Sequence, residues 1–471
     1  MTEKVTVETH QGAVVPMGFD AHTGAVKAVY PIQDALLFVH GATGCSFYPR
    51  ILFSMHDNYP VRALSSGLEQ RHVIFGGGDV LVDGLRKAVK TFHPKLIVIQ
   101  GTCIPLLTGD DLEGIAREVA QETGAMIIAT SNPNFKGNQM DGFQNVILAY
   151  IRQVMKETGE KIQGSVNLLG VMPSEYNWRA DLREIRRILK ALGIKVNSTL
   201  VGYDTTVEEI IRAPKAEANI LLYPEVGLPT ARLMEERFGI PCIETTFPPI
   251  GISSSREWIL KVAEHFGLQE RAETFLEEEM GAMGDALGEL DIGQFFPLQY
   301  LFGRTYALKA MPFQIPALVR FLWEDLSLRP TTIAFQEYDE GCYRRLEEAL
   351  QDCRLEPEVQ TRGDHLEFFE AITHHHNYPY GDPWLVFGST IDALELAWEG
   401  HRLPVVRYAY PVLDESLVNN QPFVGLRGVA FWAERIHNEL VKKLWGAEDA
   451  AGNFPDFFSN VKEVLAPFMA K

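Results

Sequence analysis

Two cysteines stand where soft-ligand chemistry can begin. Cys45 ends the stretch His40-Gly-Ala-Thr-Gly-Cys45, directly after the apolar run ALLFV, and Cys103 lies in IQGTCIPLLTGDDL, directly after KLIVIQ. Continuous apolar runs of this kind form parallel strands buried on both faces, so each thiol is expected just past a strand end. Loops at the C-terminal ends of strands in one doubly wound sheet gather on one face, where residues distant in sequence meet. Gly41 and Gly44 let the backbone approach a bulky object closely. Thiolates are the preferred ligands of iron–sulfur clusters and of zinc. Two of them make a half-site that a second chain can complete; the same spacing also suits two buried structural thiols. No C-x-x-C pair decides between the two readings.

The other chemistry-bearing residues read more plainly. Cys242, inside IPCIE, falls in a strand and is expected in the core, and Cys342 and Cys353 border the helical stretch GCYRRLEEALQDC as structural thiols. Five cysteines, an odd count in a large chain, argue against a disulfide framework. His374, His375 and His376 run consecutively before a Pro/Gly loop. Consecutive residues do not share a face, so the run is expected to be a solvated loop or an interface patch. FGGGD carries glycines but no Lys-Ser/Thr, so it is not a phosphate-binding loop, and GISSSRE departs from the G-x-S-x-G nucleophile turn.

The elements that must position the thiols alternate along the chain. KLIVIQGT, AMIIATSN, SVNLLGVM, ANILLYPE, TTIAFQE and PWLVFGST read as buried parallel strands. Between them lie amphipathic helices such as DLREIRRILKALG, with Leu182, Ile185, Ile188, Leu189 and Leu192 on one face and Gly193 as the stop. The expected fold is α/β, with three doubly wound Rossmann-like domains, mostly parallel sheets and a helical C-terminal tail. The expected domains are 1–165, carrying both thiol loops; 166–290, a second α/β domain with a helical connector; and 291–471, a third with the tail.

The chain has 471 residues, 46 % of them hydrophobic, which suffices for several cores. A net charge of −19 and the lack of a basic run argue against a nucleic-acid partner. No apolar stretch approaches the length of a membrane span. The start MTEKVTVETHQGAVV has no apolar secretory core, so the expected location is cytoplasmic.

Several segments together resemble nitrogenase component 1 proteins, above all their β-type subunit. They are HGATGCSFYPR, FGGGDVLVDGLRKA, FHPKLIVIQGTC with the following TGDDL, SNPNFKGNQMDGFQNV, IPCIETTFPPIGISSSREWI, PWLVFGSTIDALELA and PVVRYAYPVLDE with the following GLRG. The resemblance spans nearly the full length. It implies an iron–sulfur cluster at a subunit interface, held in that family by three cysteines per subunit, two of which match Cys45 and Cys103. Asp20 falls at the third position. It is either an oxygen ligand, as in the related light-independent protochlorophyllide reductases, or only the cap of the helix that follows it. His22 is a further ligand candidate, and Asn134 stands where the family has a serine near the cluster. These departures imply a four-iron or modified P-cluster type rather than an unmodified eight-iron cluster.

Tyr223 lies near the place where α-type subunits carry their cofactor cysteine. The resemblance therefore implies a catalytic centre on, or shared with, an α-type partner in a heterotetramer. It also implies an ATP-dependent iron protein as electron donor, with dinitrogen, a tetrapyrrole or a carbon–sulfur bond (as in methylthio-alkanes) as substrate. The alternative it implies is a scaffold subunit on which a nitrogenase-type metallocofactor is assembled, without turnover.

Overall fold

The apolar runs become strands, and every strand pairing among the described residues is parallel. The computed structural model describes residues 18–57, 61–133, 135–157, 159–292, 301–374, 381–416 and 420–444. A first sheet holds β1 (Ala35–His40), β2 (Ala63–Ser65), β3 (Leu96–Gly101) and β4 (Ile127–Ser131) in the order β2-β1-β3-β4. A second holds β5 (Ile162–Leu169), β6 (Lys195–Ser198), β7 (Ala216–Leu221) and β8 (Cys242–Ile243) in the order β6-β5-β7-β8. A third holds β9 (Thr305–Ala310), β10 (Arg329–Phe335), β11 (Glu358–Gln360), β12 (Leu385–Gly388) and β13 (Val405–Arg407) in the order β11-β10-β9-β12-β13.

The strand order reverses between β1 and β3, between β5 and β7, and between β9 and β12, so each sheet is doubly wound as expected. Helix Gly425–Leu444 forms the described part of the tail, and Gln269–Ile292 forms a helix over the acidic stretch read as a connector. Among the described residues, no helix is long and apolar enough to cross a membrane.

Two compact units divide the chain. Gly18–Pro248 with Glu257–Glu273 holds the first two sheets, and Pro249–Arg256 with Thr274 onward holds the third. In the first sheet, β1 and β3 are buried along their whole lengths and aligned from Ala35↔Leu96 to His40↔Gly101. Helices α1 (Ala21–Lys27), α2 (Thr43–Asp57), α3 (Gln70–Phe75), α4 (Gly78–Phe92), α5 (Cys103–Thr108), α6 (Leu112–Thr123) and α7 (Gln139–Ala149) accompany this sheet. Leu81, Leu85 and Ala88 line the buried face of α4 and, with Ala116 and Val119 of α6, pack on Phe38, Ile97 and Ile99. Full burial of each such large aliphatic side chain contributes roughly 1.5–3 kcal/mol.

α1 is buried on every face, which an ordinary amphipathic helix would not tolerate. Glycines make its position possible. A Cβ on Gly24 would lie 1.8 Å from the Gln139 carbonyl oxygen, and one on Gly142 would lie 1.7 Å from that of Ala21. The backbones of α1 and α7 therefore touch. At the last turn of α1, Lys27 is fully buried, its Nζ 2.7 Å from Glu175 Oε1 and 4.6 Å from the centre of the Phe19 ring. An unpaired ammonium in that position would cost several kcal/mol, so Glu175 and Lys27 hold one another in place.

Gly142→Ala should force α1 and α7 apart and lower the unfolding free energy by about 1–3 kcal/mol. Urea-unfolding midpoints measure this, with Gly281→Ala as the control, since a Cβ there meets nothing within 4 Å. Equal midpoints would contradict the backbone contact.

Candidate metal centre at the mouth of the first sheet

The reversal between β1 and β3 places two chain segments on either side of one crevice, and each brings a thiol. Cys103 is the first residue of α5, after its N-cap Thr102. Cys45 lies in the first turn of α2, which begins at Thr43. Cys45, expected just past a strand end, is already helical, because the chain needs only Gly41 and Ala42 to leave β1 before its first helical turn closes, with Cys45 N–H on the Ala42 carbonyl at 3.0 Å. Gly41 serves close packing, since a Cβ there would lie 2.2 Å from Thr102 Oγ1. Gly44 is exposed, and a Cβ there would meet nothing within 4 Å.

Thr102 couples the two thiol segments. Its N–H and its hydroxyl each donate to the His40 carbonyl at 3.1 Å, and its side chain also hydrogen-bonds the Cys45 thiol. Burial, followed by the nearby Cys103, pushes the Cys45 thiol above its ordinary value, and Asp20 adds to the rise. Burial and Asp20 do the same to the Tyr48 hydroxyl. Asp20, Cys45 and Cys103 therefore lie within electrostatic reach at one mouth. Ionising Cys45 there is unfavourable in the bare chain; a cation beside it would offset that cost.

The candidates differ in what else they do. Asp20 Oδ1 accepts from the Thr23 N–H at 2.8 Å and the Thr23 hydroxyl at 2.7 Å, so Asp20 caps α1 whatever further part it has. His22 Nε2 lies 2.8 Å from the Cys45 carbonyl oxygen; a carbonyl only accepts, so this nitrogen donates and fixes the Cys45 backbone. Burial keeps that imidazole pKa low, and its Nδ1 is a buried atom without a hydrogen-bond partner. Among the described residues, no three His, Cys, Asp or Glu side chains are grouped to hold a metal ion. A cluster at this mouth thus requires donors from beyond these side chains, and two thiols on neighbouring segments fit the half-site reading.

Other sequence candidates lie elsewhere. Cys242 is half-buried in β8, its thiol pushed up to about 12 mainly by burial, and Cys342 and Cys353 are buried on helix Glu340–Cys353. Tyr223 is the buried N-cap residue of helix Pro224–Phe238. His374 is exposed with Nδ1 3.2 Å from the Glu370 carbonyl oxygen, while His375, His376 and Asn134 lie outside the described residues.

Sequence reasoning missed the rim of the mouth. Phe47, Ile51 and Met55 on α2, Val73, Ile74 and Phe75 on α3, and Leu106 and Leu107 on α5 are all exposed, Phe75 to 85 % and Leu107 to 76 %. Large apolar side chains exposed together mark an interaction surface. The run Val73-Ile74-Phe75, apolar on three successive residues of a helix, was the available signal.

A three-sheet, doubly wound α/β protein with paired thiols at the reversal of its first sheet is the class these features define. Residues 21–441 match the family described as nitrogenase component 1 type oxidoreductase, and the chain belongs to that family. It is 25 % identical to the nitrogenase molybdenum-iron protein beta chain of Clostridium pasteurianum over 468 residues, 94 % of this chain and 96 % of that one. It is 32 % identical to the nitrogenase iron-molybdenum cofactor biosynthesis protein NifE of the same organism over 265 residues. That match spans little more than half of each protein, 55 % of this chain and 56 % of NifE. The solved structure titled "Nitrogenase Cp1 at pH 6.5" shares the fold, with a TM-score of 0.81, 24 % identity, and coverage of 94 % of this chain and 96 % of that one.

In the metal-free chain, alkylation of Cys45 by iodoacetamide should rise with pH later than that of a free thiol, because its neutral form is favoured. Asp20→Asn, which keeps a capping residue but removes the charge, should shift the profile to lower pH. Peptide-resolved alkylation rates across the thiol titration range check both shifts.

Proposed function

We propose that this chain is the β-type subunit of a nitrogenase-like component 1 reductase. It would receive electrons from an ATP-dependent iron protein and pass them toward a catalytic centre on, or shared with, an α-type subunit. The observation that carries the reading is the convergence of Cys45 and Cys103 at the β1/β3 reversal, inside an exposed apolar rim. The near-full-length likeness to a molybdenum-iron protein beta chain supports it.

The implied resident group is an iron–sulfur cluster of four-iron or modified P-cluster type, which when bound supplies one-electron transfer. Cys45 and Cys103 are its proposed thiolate ligands, and Asp20 is the proposed third donor at the same mouth. Thr102 orients the Cys45 sulfur, and His22 holds its backbone. The rim on α2, α3 and α5 would be covered by the α-type subunit, which would contribute the remaining donors and exclude water. Dinitrogen, a tetrapyrrole and a carbon–sulfur bond are the proposed substrate classes, and the proposed location is cytoplasmic.

A second reading is favoured by the NifE likeness: a scaffold subunit for assembly of a nitrogenase-type metallocofactor. Anaerobic co-purification with the α-type partner, followed by iron and sulfide analysis and EPR, tests the shared premise. Cys45→Ser and Cys103→Ser should each reduce iron retention by about tenfold or more. Full iron content in both variants would overturn the ligand assignment. ATP-dependent turnover with the iron protein would support the reductase; transfer of a metallocofactor without turnover would support the scaffold.

A further inference from the structure

The strand end that precedes Cys45 carries a buried imidazole whose partners reach both thiol segments. His40 is the last residue of β1, and its side chain is fully buried. Nε2 lies 3.1 Å from Asp110 Oδ2, and Nδ1 lies 3.0 Å from Ser66 Oγ. A carboxylate only accepts, so Nε2 carries the proton and Nδ1 accepts from the Ser66 hydroxyl. Ser66 Oγ in turn accepts the Gly41 N–H at 3.1 Å. The three side chains are those of a nucleophile relay, but the ring nitrogens are exchanged relative to one, and His40 has no exposed surface from which to serve a substrate.

The connections of Asp110 explain what the imidazole does instead. Asp110 follows the C-terminal end of α5, where Gly109 at φ 76° turns the chain back. Both of its carboxylate oxygens lie 3.1 Å from Gly77 N at the start of α4. Gly77 keeps this turn close: a Cβ there would lie 2.6 Å from Leu68 Cδ2, 3.1 Å from His40 Cε1 and 3.2 Å from Asp110 Oδ2. One ring thus joins the end of β1, the segment after β2, the α3–α4 turn and the far end of α5. α5 is six residues long, with Cys103 at its first position, so holding Asp110 at one end fixes the helix that presents the thiol at the other. The His40 carbonyl meanwhile holds Thr102, which contacts the Cys45 thiol.

We propose that the His40–Asp110 pair is a positioning latch that fixes the spacing of Cys45 and Cys103, and this rests on the reading of both thiols as ligands. His40 and Asp110 are positioning residues and touch no metal. In the latch, the imidazole donates to the α5 side and accepts from the β2 side, so losing either hydrogen bond lets one thiol segment move against the other. Burial favours the neutral imidazole that this arrangement uses.

The test uses the full metal-free chain and phenylarsine oxide, which bonds two sulfurs only where they are close, releasing water. Peptide mapping reports joint capture of Cys45 and Cys103. His40→Phe should slow that capture by about tenfold and lower iron retention in the reconstituted complex by a similar factor. His40→Gln, whose amide offers both a donor and an acceptor, should restore most of each. Asp110→Ala removes the acceptor of the Nε2–H bond and should resemble His40→Phe; it serves as the decisive variant if His40→Phe does not fold.

Wild-type capture in His40→Phe or Asp110→Ala would overturn the latch. So would a folded His40→Gln no better than a folded His40→Phe, since the ring would then matter only as packing. The arsenical reports thiol spacing without metal. Iron retained by Cys45→Ser and Cys103→Ser therefore sinks the ligand reading, whereas undisturbed capture sinks the latch.

Discussion

Ionising Cys45 at its half-buried place is costly, first through burial and then through the nearby Cys103 and Asp20, and the first unit holds these groups firmly around it. The reversal between β1 and β3 gathers the groups, and burial denies them the water that would screen their charges. In the bare chain burial, followed by Cys103 and then Asp20, holds the Cys45 thiol above its ordinary value. Under the proposed function, a cation beside Cys45 would favour its thiolate and offset that cost. Thiols set apart in apolar packing would show no such mutual effect; Cys242, raised by burial with only carboxylates as charged neighbours, is the contrast within this chain.

Holding repelling groups in place requires rigid support, and the sequence spends unusual residues on it. α1, capped by Asp20, is sunk into the unit by glycines that let its backbone meet that of α7, and is tied at its other end by the Lys27–Glu175 pair. Small residues and a buried charge pair are poor sources of stability, since each gives up apolar area or incurs desolvation. What they provide is a fixed position for Asp20 and His22 beside Cys45. On the opposite wall, His40, Thr102 and Asp110 fix the short α5 by hydrogen bonds rather than by bulk, so its N-terminus stays at the crevice.

The central architecture was legible in the sequence because buried parallel strands must be apolar on both faces; β3, β5, β7, β10 and β12 all coincide with the apolar runs. Most edge strands were not, β4 (read from AMIIATSN) and β8 (read from IPCIE) excepted. β2, β6, β11 and β13 have three or four residues each, and each ends a sheet. A strand with one unpaired edge needs no continuous apolar run, and short edges resist unwanted pairing, so Lys195-Val-Asn-Ser and Glu358-Val-Gln carry little strand signal. The thiol positions were readable from the residues before them. The helical state of Cys45 was not, because a Gly-Ala-Thr-Gly stretch reads as a turn until tertiary packing selects the helix. Gly77 could be read as a helix-start glycine, but its contact with His40 and Asp110 joins residues far apart in sequence.

The acidic composition and the apolar rim pull in opposite directions, and together they constrain assembly. A chain of net charge −19 repels its copies at long range, yet around the thiols it exposes Phe47, Ile74, Phe75 and Leu107. Under the proposed function, a partner that covered this rim would remove water from the crevice and lower the local dielectric. Lower dielectric strengthens both the repulsion among bare ionised ligands and their attraction to a cation. Covering the rim and filling the site would then favour one another: with metal present the buried crevice is stabilised, and without it the thiols must be buried as neutral groups or kept near solvent. Under that reading the half-site and the apolar rim would be two parts of one device, since helices α2 and α5 carry both the thiols and exposed apolar side chains.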